Sequence, residues 1–235
     1  MDRRTPVFIV CSPLPRVGKT LVARLLIEFF AADGPPVIAF DLNPDGYALA
    51  AQAPEHAVVA NISGTKGQMA LFDQLIVADG AAKVVDVGYG SFEPFFAVMQ
   101  DIGFVAEALR GSVIPVILFI AEPDHRSTRA YARLRQRFPE ISLVPVVNAG
   151  TMTEARSRSG PKTDFAGVPI HIPALSPRLR AAVTEVGFSS ALADYETPAM
   201  REELQAWVRR IFLQFREMEL RLLLEDLKPA LQMRA

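Results

Sequence analysis

A chain of 235 residues, half of them apolar, is long enough to bury one sizeable core, and no apolar run reaches the roughly eighteen residues that cross a bilayer. A single cysteine, Cys11, excludes an internal disulfide and any cysteine-rich metal site, and His56, His125 and His171 have no metal-ligand spacing. The net charge of −1 excludes a uniformly basic, polyanion-coating surface, and Met1–Pro6 runs into a strand without a cleavable signal pattern, so a cytoplasmic location is expected.

The first element is an apolar run, Val7, Phe8, Ile9 and Val10, which reads as a buried parallel strand ending at Cys11, a small buried thiol rather than a nucleophile. A tight turn ends Val17-Gly18-Lys19-Thr20 and opens an amphipathic helix with Leu21, Leu25, Leu26 and Phe29 on one face. Strand, phosphate-sized loop, Gly-Lys-Thr and helix in that order are the context of a P-loop, where backbone N–H groups converge on an anion. Gly18 would let the backbone approach a β-phosphate, Lys19 would bring a mobile charge to the β/γ oxygens, and the Thr20 hydroxyl suits Mg2+. The start of the loop is irregular: Pro13 stands where a Walker A loop has its first glycine, and Pro13 and Pro15 remove two N–H donors.

Asp33-Gly34-Pro35-Pro36 stops the helix, and Val37 to Phe40 makes a second buried strand ending at Asp41, on the sheet edge where open α/β folds bind ligands. From this segment alone Asp41 serves equally well as a carboxylate near metal-bound water or as a turn cap. A strand from Ala57 to Ile62, a helix from about Thr65 to Ala78, and the run Lys83-Val84-Val85-Asp86-Val87-Gly88 follow. Asp86, at the end of an apolar strand, has the setting of a Walker B carboxylate expected to hold the Mg2+ shell through water, across from Thr20. A helix to Leu109 with a break at Gly103, an apolar strand from Val113 to Ala121 expected at the sheet centre, a helix from Asp124 to Phe138, and a strand from Ser142 to Val147 ending at Asn148 come next. Gly150 to Gly167 reads as a lid or a short helix, Val168 to Ile172 as the last strand, and Pro198 to about Leu227 as a long amphipathic helix packing on the core or on a partner subunit. Strands alternating with helices imply one α/β domain over residues 1–235, a three-layer, doubly wound, mainly parallel sheet with helices on both faces.

With Gly18-Lys19-Thr20, Asp41-Leu42-Asn43-Pro44, Asp86, Asn148 and Ile172-Pro173 in this order, the chain resembles the ParA/MinD family of P-loop ATPases from Val7 to about Ser189. The resemblance implies ATP and Mg2+ as ligands, with Pro15, Arg16, Val17, Gly18, Lys19, Thr20, Leu21, Asn148 and Pro173 around the nucleotide and Asn148 at the base. It also implies a nucleotide-driven homodimer that engages DNA, a membrane or a protein scaffold, as in partitioning or positioning systems. The departures are specific. The family's signature lysine is Leu14 here, its two loop glycines are Pro15 and Arg16, and the aspartate that orients the attacking water is Asn43. Asn43 cannot act as a carboxylate, so Lys19 and Asp41 would remain of the catalytic set and hydrolysis is expected to be weak.

The charge is uneven: from His125 to Arg180 there are ten Lys/Arg against Glu140, Glu154 and Asp164. Arg126, Arg129, Arg133 and Arg137 recur at helical spacing, a candidate stripe for non-specific DNA or a solvated face balanced by the acidic first half. Two other functions remain open. Dethiobiotin synthetase and related ATP-dependent ligases share the fold and the Val-Gly-Lys-Thr loop end, although the chain lacks their Thr-Asp-Thr-like and Glu-Gly-Ala-Gly runs. A pseudo-ATPase serving as a protein-interaction module is consistent with Pro13, Pro15 and Asn43.

Overall fold

The computed structural model describes residues 4–43, 46, 48–151, 165–186, 188 and 197–232. Its frame is a sheet of seven parallel strands: β1 Thr5–Cys11, β2 Val37–Asp41, β3 Ala57–Val59, β4 Ala82–Asp86, β5 Val113–Ile120, β6 Ser142–Asn148 and β7 Ile170–Ile172. They lie in the order β3-β2-β4-β1-β5-β6-β7, and all pairings are parallel. Parallel strands need crossovers, and helices supply them: α1 Lys19–Asp33, α2 Ala48–Gln52, α3 Thr65–Leu75, α4 Phe92–Asp101, α5 Phe104–Arg110, α6 His125–Arg137, α7 Pro177–Val186 and α8 Pro198–Gln232. A short 3-10 turn, Tyr89–Ser91, joins β4 to α4.

Both sheet faces are covered, which is why the inner strands read as continuous apolar runs. One core packs α1, α7 and α8 on Phe8, Val10, Val84, Val116 and Leu118; the other packs α3 to α6 on Val7, Ile9, Val85, Ile117 and Phe119. Such a run fixes burial but not position: β1, rather than the expected Val113–Ala121 strand, holds the central place, with β5 beside it.

Several boundaries differ from expectation. The third strand stops at Val59 and the helix after it at Leu75, while α2 and α7, in stretches of weak periodicity, were not foreseen. Gly103 breaks the α4–α5 pair as expected, taking φ +63 at the start of α5. The long final helix lies on the core. Phe29 of α1 meets Phe212 and Phe215 edge-on at 5.3 and 5.5 Å, and the Gln214 side chain accepts from His171 N at 2.7 Å and donates to His171 O at 2.9 Å. That amide pair closes the β7 edge against another strand. Residues 152–164, most of the Gly150–Gly167 stretch, lie outside the described residues.

Candidate functional site

The sheet register brings the carboxyl ends of β1, β2 and β4 together, with Val10 and Asp41 both paired with Asp86. The loop between β1 and α1 arches over this edge. Gly18 caps α1 with φ +94, and a Cβ there would lie 2.2 Å from Nδ2 of Asn148. Only glycine fits that backbone and that contact. Arg16 also takes a left-handed φ, +57, at one of the two positions where the resemblance places a glycine. The loop thus keeps a glycine-like path with an arginine in it, at a conformational cost of order 1 kcal/mol. No side chain caps α1, and Val22 N, bonded to Gly18 O at 3.1 Å, is the first amide with an i−4 acceptor. The amides of Lys19, Thr20 and Leu21 therefore precede the helical ladder, the arrangement that favours an anion.

Lys19 is buried, with Nζ donating to Leu14 O at 2.8 Å; burial lowers its pKa, and Asp86 opposes that shift. Thr20 Oγ1 donates to Asp86 Oδ2 at 2.7 Å. The other oxygen of Asp86, Oδ1, is buried and accepts no hydrogen bond among the described residues. Burial pushes the Asp86 carboxyl up to about 6, and the charge of Asp41 adds to the shift while Thr20 and Lys19 oppose it. A fully buried carboxylate with an orphaned oxygen beside a threonine hydroxyl offers the oxygen ligands that fit a hard divalent cation, while the neighbouring Lys19 ammonium suits an anion rather than the metal.

Asp41 is also fully buried, but its oxygens are engaged: Oδ1 accepts from Asn43 N at 3.0 Å, and Oδ2 from Leu49 N and Ala50 N at 2.8 and 3.1 Å. It caps α2. Asn43 lines the cleft, and Gly88 packs so closely on it that a Cβ would lie 3.0 Å from Asn43 Cα. Leu42 N donates to Asp86 O at 3.0 Å and Ser91 Oγ to Leu42 O at 2.7 Å, so the segments after β2 and β4 are fastened together.

Asn148 is locked into the loop: Nδ2 donates to Val17 O at 3.0 Å and Oδ1 accepts from Gly150 N at 3.0 Å. Its place in this structure is to hold the loop between β1 and α1. The cleft, about 1130 Å³, runs from Pro15, Arg16 and Lys19 past Asn148 to Pro173, Arg180 and Trp207. Of that far end only Pro173 was expected; Arg180 and Trp207 were not read from the sequence. Trp207 of α8 donates Nε1 to Pro173 O at 2.8 Å and stacks on Phe188 at 5.8 Å, while Arg24 of α1 lies 4.9 Å over the same ring and donates to Val183 O at 3.1 Å. Trp207 had signalled only a helix face, because 34 residues separate it from Pro173.

The four arginines do share α6, but not one role. Arg133 pairs with Glu93 at 2.7 Å and Arg137 with Gln100, whereas Arg126 and Arg129 are exposed with no side-chain partner among the described residues.

A seven-stranded parallel sheet with helices on both faces and a Gly-Lys-Thr loop at its carboxyl edge defines the class of a ParA-like P-loop NTPase fold. No family model and no curated protein matches the chain. Among solved structures, a ParA family ATPase from Chlorobium tepidum TLS superposes with a TM-score of 0.51 at 13% identity, covering 88% of this chain and 98% of that one. At that identity the likeness is one of fold. Among the described residues, no helix is long and apolar enough to cross a membrane.

Proposed function

We propose that this chain binds Mg-ATP in the cleft and acts as a ParA/MinD-like nucleotide switch with weak hydrolysis. The observation that carries the reading is the trio at the phosphate loop: Thr20 on Asp86, Lys19 buried beside them, and an orphaned Asp86 oxygen. Thr20 and Asp86 would hold Mg2+, which when bound neutralises phosphate charge. Lys19 would exchange Leu14 O for phosphate oxygens, a stronger, charge-assisted partner. Arg16 would add the charge that Leu14 lacks, and Asn148 would keep Val17 and Gly18 in the receiving conformation. Pro173 and Trp207 bound the nucleoside end.

The same geometry argues against fast turnover. Asp41 spends both oxygens on backbone amides, and Asn43 offers a neutral amide where water would be oriented. Neither supplies a free base. Nucleotide would thus be held rather than consumed, as suits a switch that self-associates in one state.

Calorimetry of the full chain with Mg-ATP, Mg-ADP and Mg-GTP tests the reading, with phosphate release followed in parallel. Binding is expected in wild type and should weaken at least about tenfold in Lys19→Ala, one charge-assisted contact being worth about 1.5–3 kcal/mol. Slow release that rises in Asn43→Asp supports impaired hydrolysis. Rapid turnover in wild type, unchanged by Asn43→Asp, would overturn it, and no heat with any nucleotide would leave only the fold.

A further inference from the structure

Beside the phosphate end of the cleft lies a second groove of about 680 Å³, between α6 and the segment that follows β4. Pro13, Tyr89 and Phe92 form one side, and Arg126, Arg129 and Arg133 the other. We propose that this groove docks an extended, acidic peptide segment of a protein partner, and that Tyr89 couples the docked segment to the nucleotide cleft.

Charge and shape carry the docking. Arg126 and Arg129 have no side-chain partner among the described residues, and Asp124, the nearest acid in sequence, turns its carboxylate to the backbone amides of Arg126 and Ser127. Among the described residues Arg133 is held only by Glu93, a pair exposed on both sides at 63% and 61%, which a competing carboxylate can replace at little cost. From Arg126 to Arg133 the helix rises about 10 Å. That matches about three residues of extended chain, so two side chains at alternate positions, roughly 7 Å apart, reach two of the three guanidinium groups. The opposite wall is a proline and two rings, Tyr89 half exposed, which suits an apolar side chain between the acids. Two uncommitted arginines on a chain of net charge −1 neutralise too few phosphates to hold a duplex at ordinary salt. They are enough for one short acidic segment.

The coupling follows from a shared wall. Tyr89 lines the groove and the nucleotide cleft alike. The turn that carries it is fixed to the segment after β2 through Ser91 Oγ on Leu42 O and the close packing of Gly88 on Asn43. A nucleotide that shifts Asn43 or the turn after Asp86 would move Tyr89 with them. Docking stands on the groove alone, whereas coupling rests on the nucleotide reading above.

The test is fluorescence anisotropy of the full chain with a fluorescein-labelled ten-residue peptide of alternating Glu and Leu, at about 50 and about 200 mM salt. Binding at low salt, weakened at high salt, is expected, and the Arg126→Glu/Arg129→Glu variant should lose roughly tenfold or more in affinity. A control reversal on α8, Arg209→Glu/Arg210→Glu, should bind like wild type. Arg126→Ala and Arg129→Ala repeat the measurement singly should the double variant melt early. Absence of binding at low salt, or equal loss in the control, overturns docking. Duplex DNA that binds more tightly than the peptide and depends on the same two arginines makes the surface one for nucleic acid, and a groove-dependent increase in particle size without peptide makes it one for a second copy; either result overturns the proposal. Mg-ATP should change peptide affinity about threefold or more in wild type and not in Tyr89→Ala. Nucleotide binding by calorimetry without any change in peptide affinity overturns the coupling alone. No nucleotide binding at all overturns the switch and the coupling together, and leaves docking to be decided by the arginine variants.

Discussion

Asp86 carries a charge that its surroundings resist. Burial lifts its carboxyl to about 6 against 3.8 for the free side chain, so between those values the native state holds more protons than the unfolded chain. The contribution of Asp86 to stability without magnesium therefore falls as pH rises through that window, by roughly 2–3 kcal/mol when the loss is complete above about 6. Asp86→Asn removes that contribution. Denaturant unfolding from about pH 4 to 8 should show a shallower fall for the variant than for wild type in the window and a more stable apo protein at neutral pH, while added Mg-ATP stabilises wild type and not the variant. Arg16 makes a second case. Its left-handed backbone favours glycine, so Arg16→Gly is expected to stabilise the fold by about 1 kcal/mol while weakening nucleotide binding, the two effects read by melting and by calorimetry. Cys11 is inert by position: fully buried, its thiol is pushed far above the usual range, so a thiol reagent should leave the folded chain unmodified and label it in denaturant. At this scale the sequence pointed to Gly18, Lys19, Thr20 and Asp86 by residue type and spacing, and the fold brings Lys19, Thr20 and Asp86 together. The sequence left Asp41 open, because capping and metal binding draw on the same carboxylate and only the positions of Leu49 N and Ala50 N distinguish them.

Among the elements, α8 shows how far periodicity reaches. Leu204, Trp207, Ile211, Phe215 and Met218 at helical spacing disclose a helix with a buried face. They do not disclose that Phe215 meets Phe29 of α1, that Gln214 closes the β7 edge, or that Trp207 walls the cleft. Phe215→Ala should cost about 3–5 kcal/mol, since the side chain is fully buried in an aromatic cluster and α1 cannot collapse onto the space. Thermal unfolding would show it, and α1 carries Lys19 and Thr20 at its start, so nucleotide affinity should fall as well. The same contrast holds for α6. Helical spacing placed four arginines on one stripe, but α4 decided which have a side-chain partner among the described residues: Glu93 and Gln100, reached from 40 and 37 residues away, hold Arg133 and Arg137.

For the whole molecule, the parallel sheet was legible because a strand buried on both faces must be apolar throughout and because each strand is followed by a crossover. The proposed switch adds an expectation at this scale. Light scattering after size separation should give a larger particle with Mg-ATP than with Mg-ADP or no nucleotide, and Lys19→Ala should remain in the smaller form throughout. A single size in all states would remove self-association from the proposal. Strand order was a different matter. β5 is the more apolar run, which is why it was expected at the centre, yet the central place falls to β1, because position depends on which strands pair on either side and not on how apolar a run is.

By itself, then, the sequence determined most of the strands, the longer helices, the class of fold and the Gly-Lys-Thr turn at the start of α1, because each is written in short-range patterns of burial period and turn chemistry. Tertiary structure alone decided which carboxylate caps and which keeps an orphaned oxygen, that Asn148 braces the loop, that Trp207 lines the cleft, and that Tyr89 lines both the cleft and the groove beside it. Those outcomes depend on groups far apart in the chain meeting within hydrogen-bond distance. No local pattern encodes such a meeting, and the packing of helices on a seven-stranded sheet produces it.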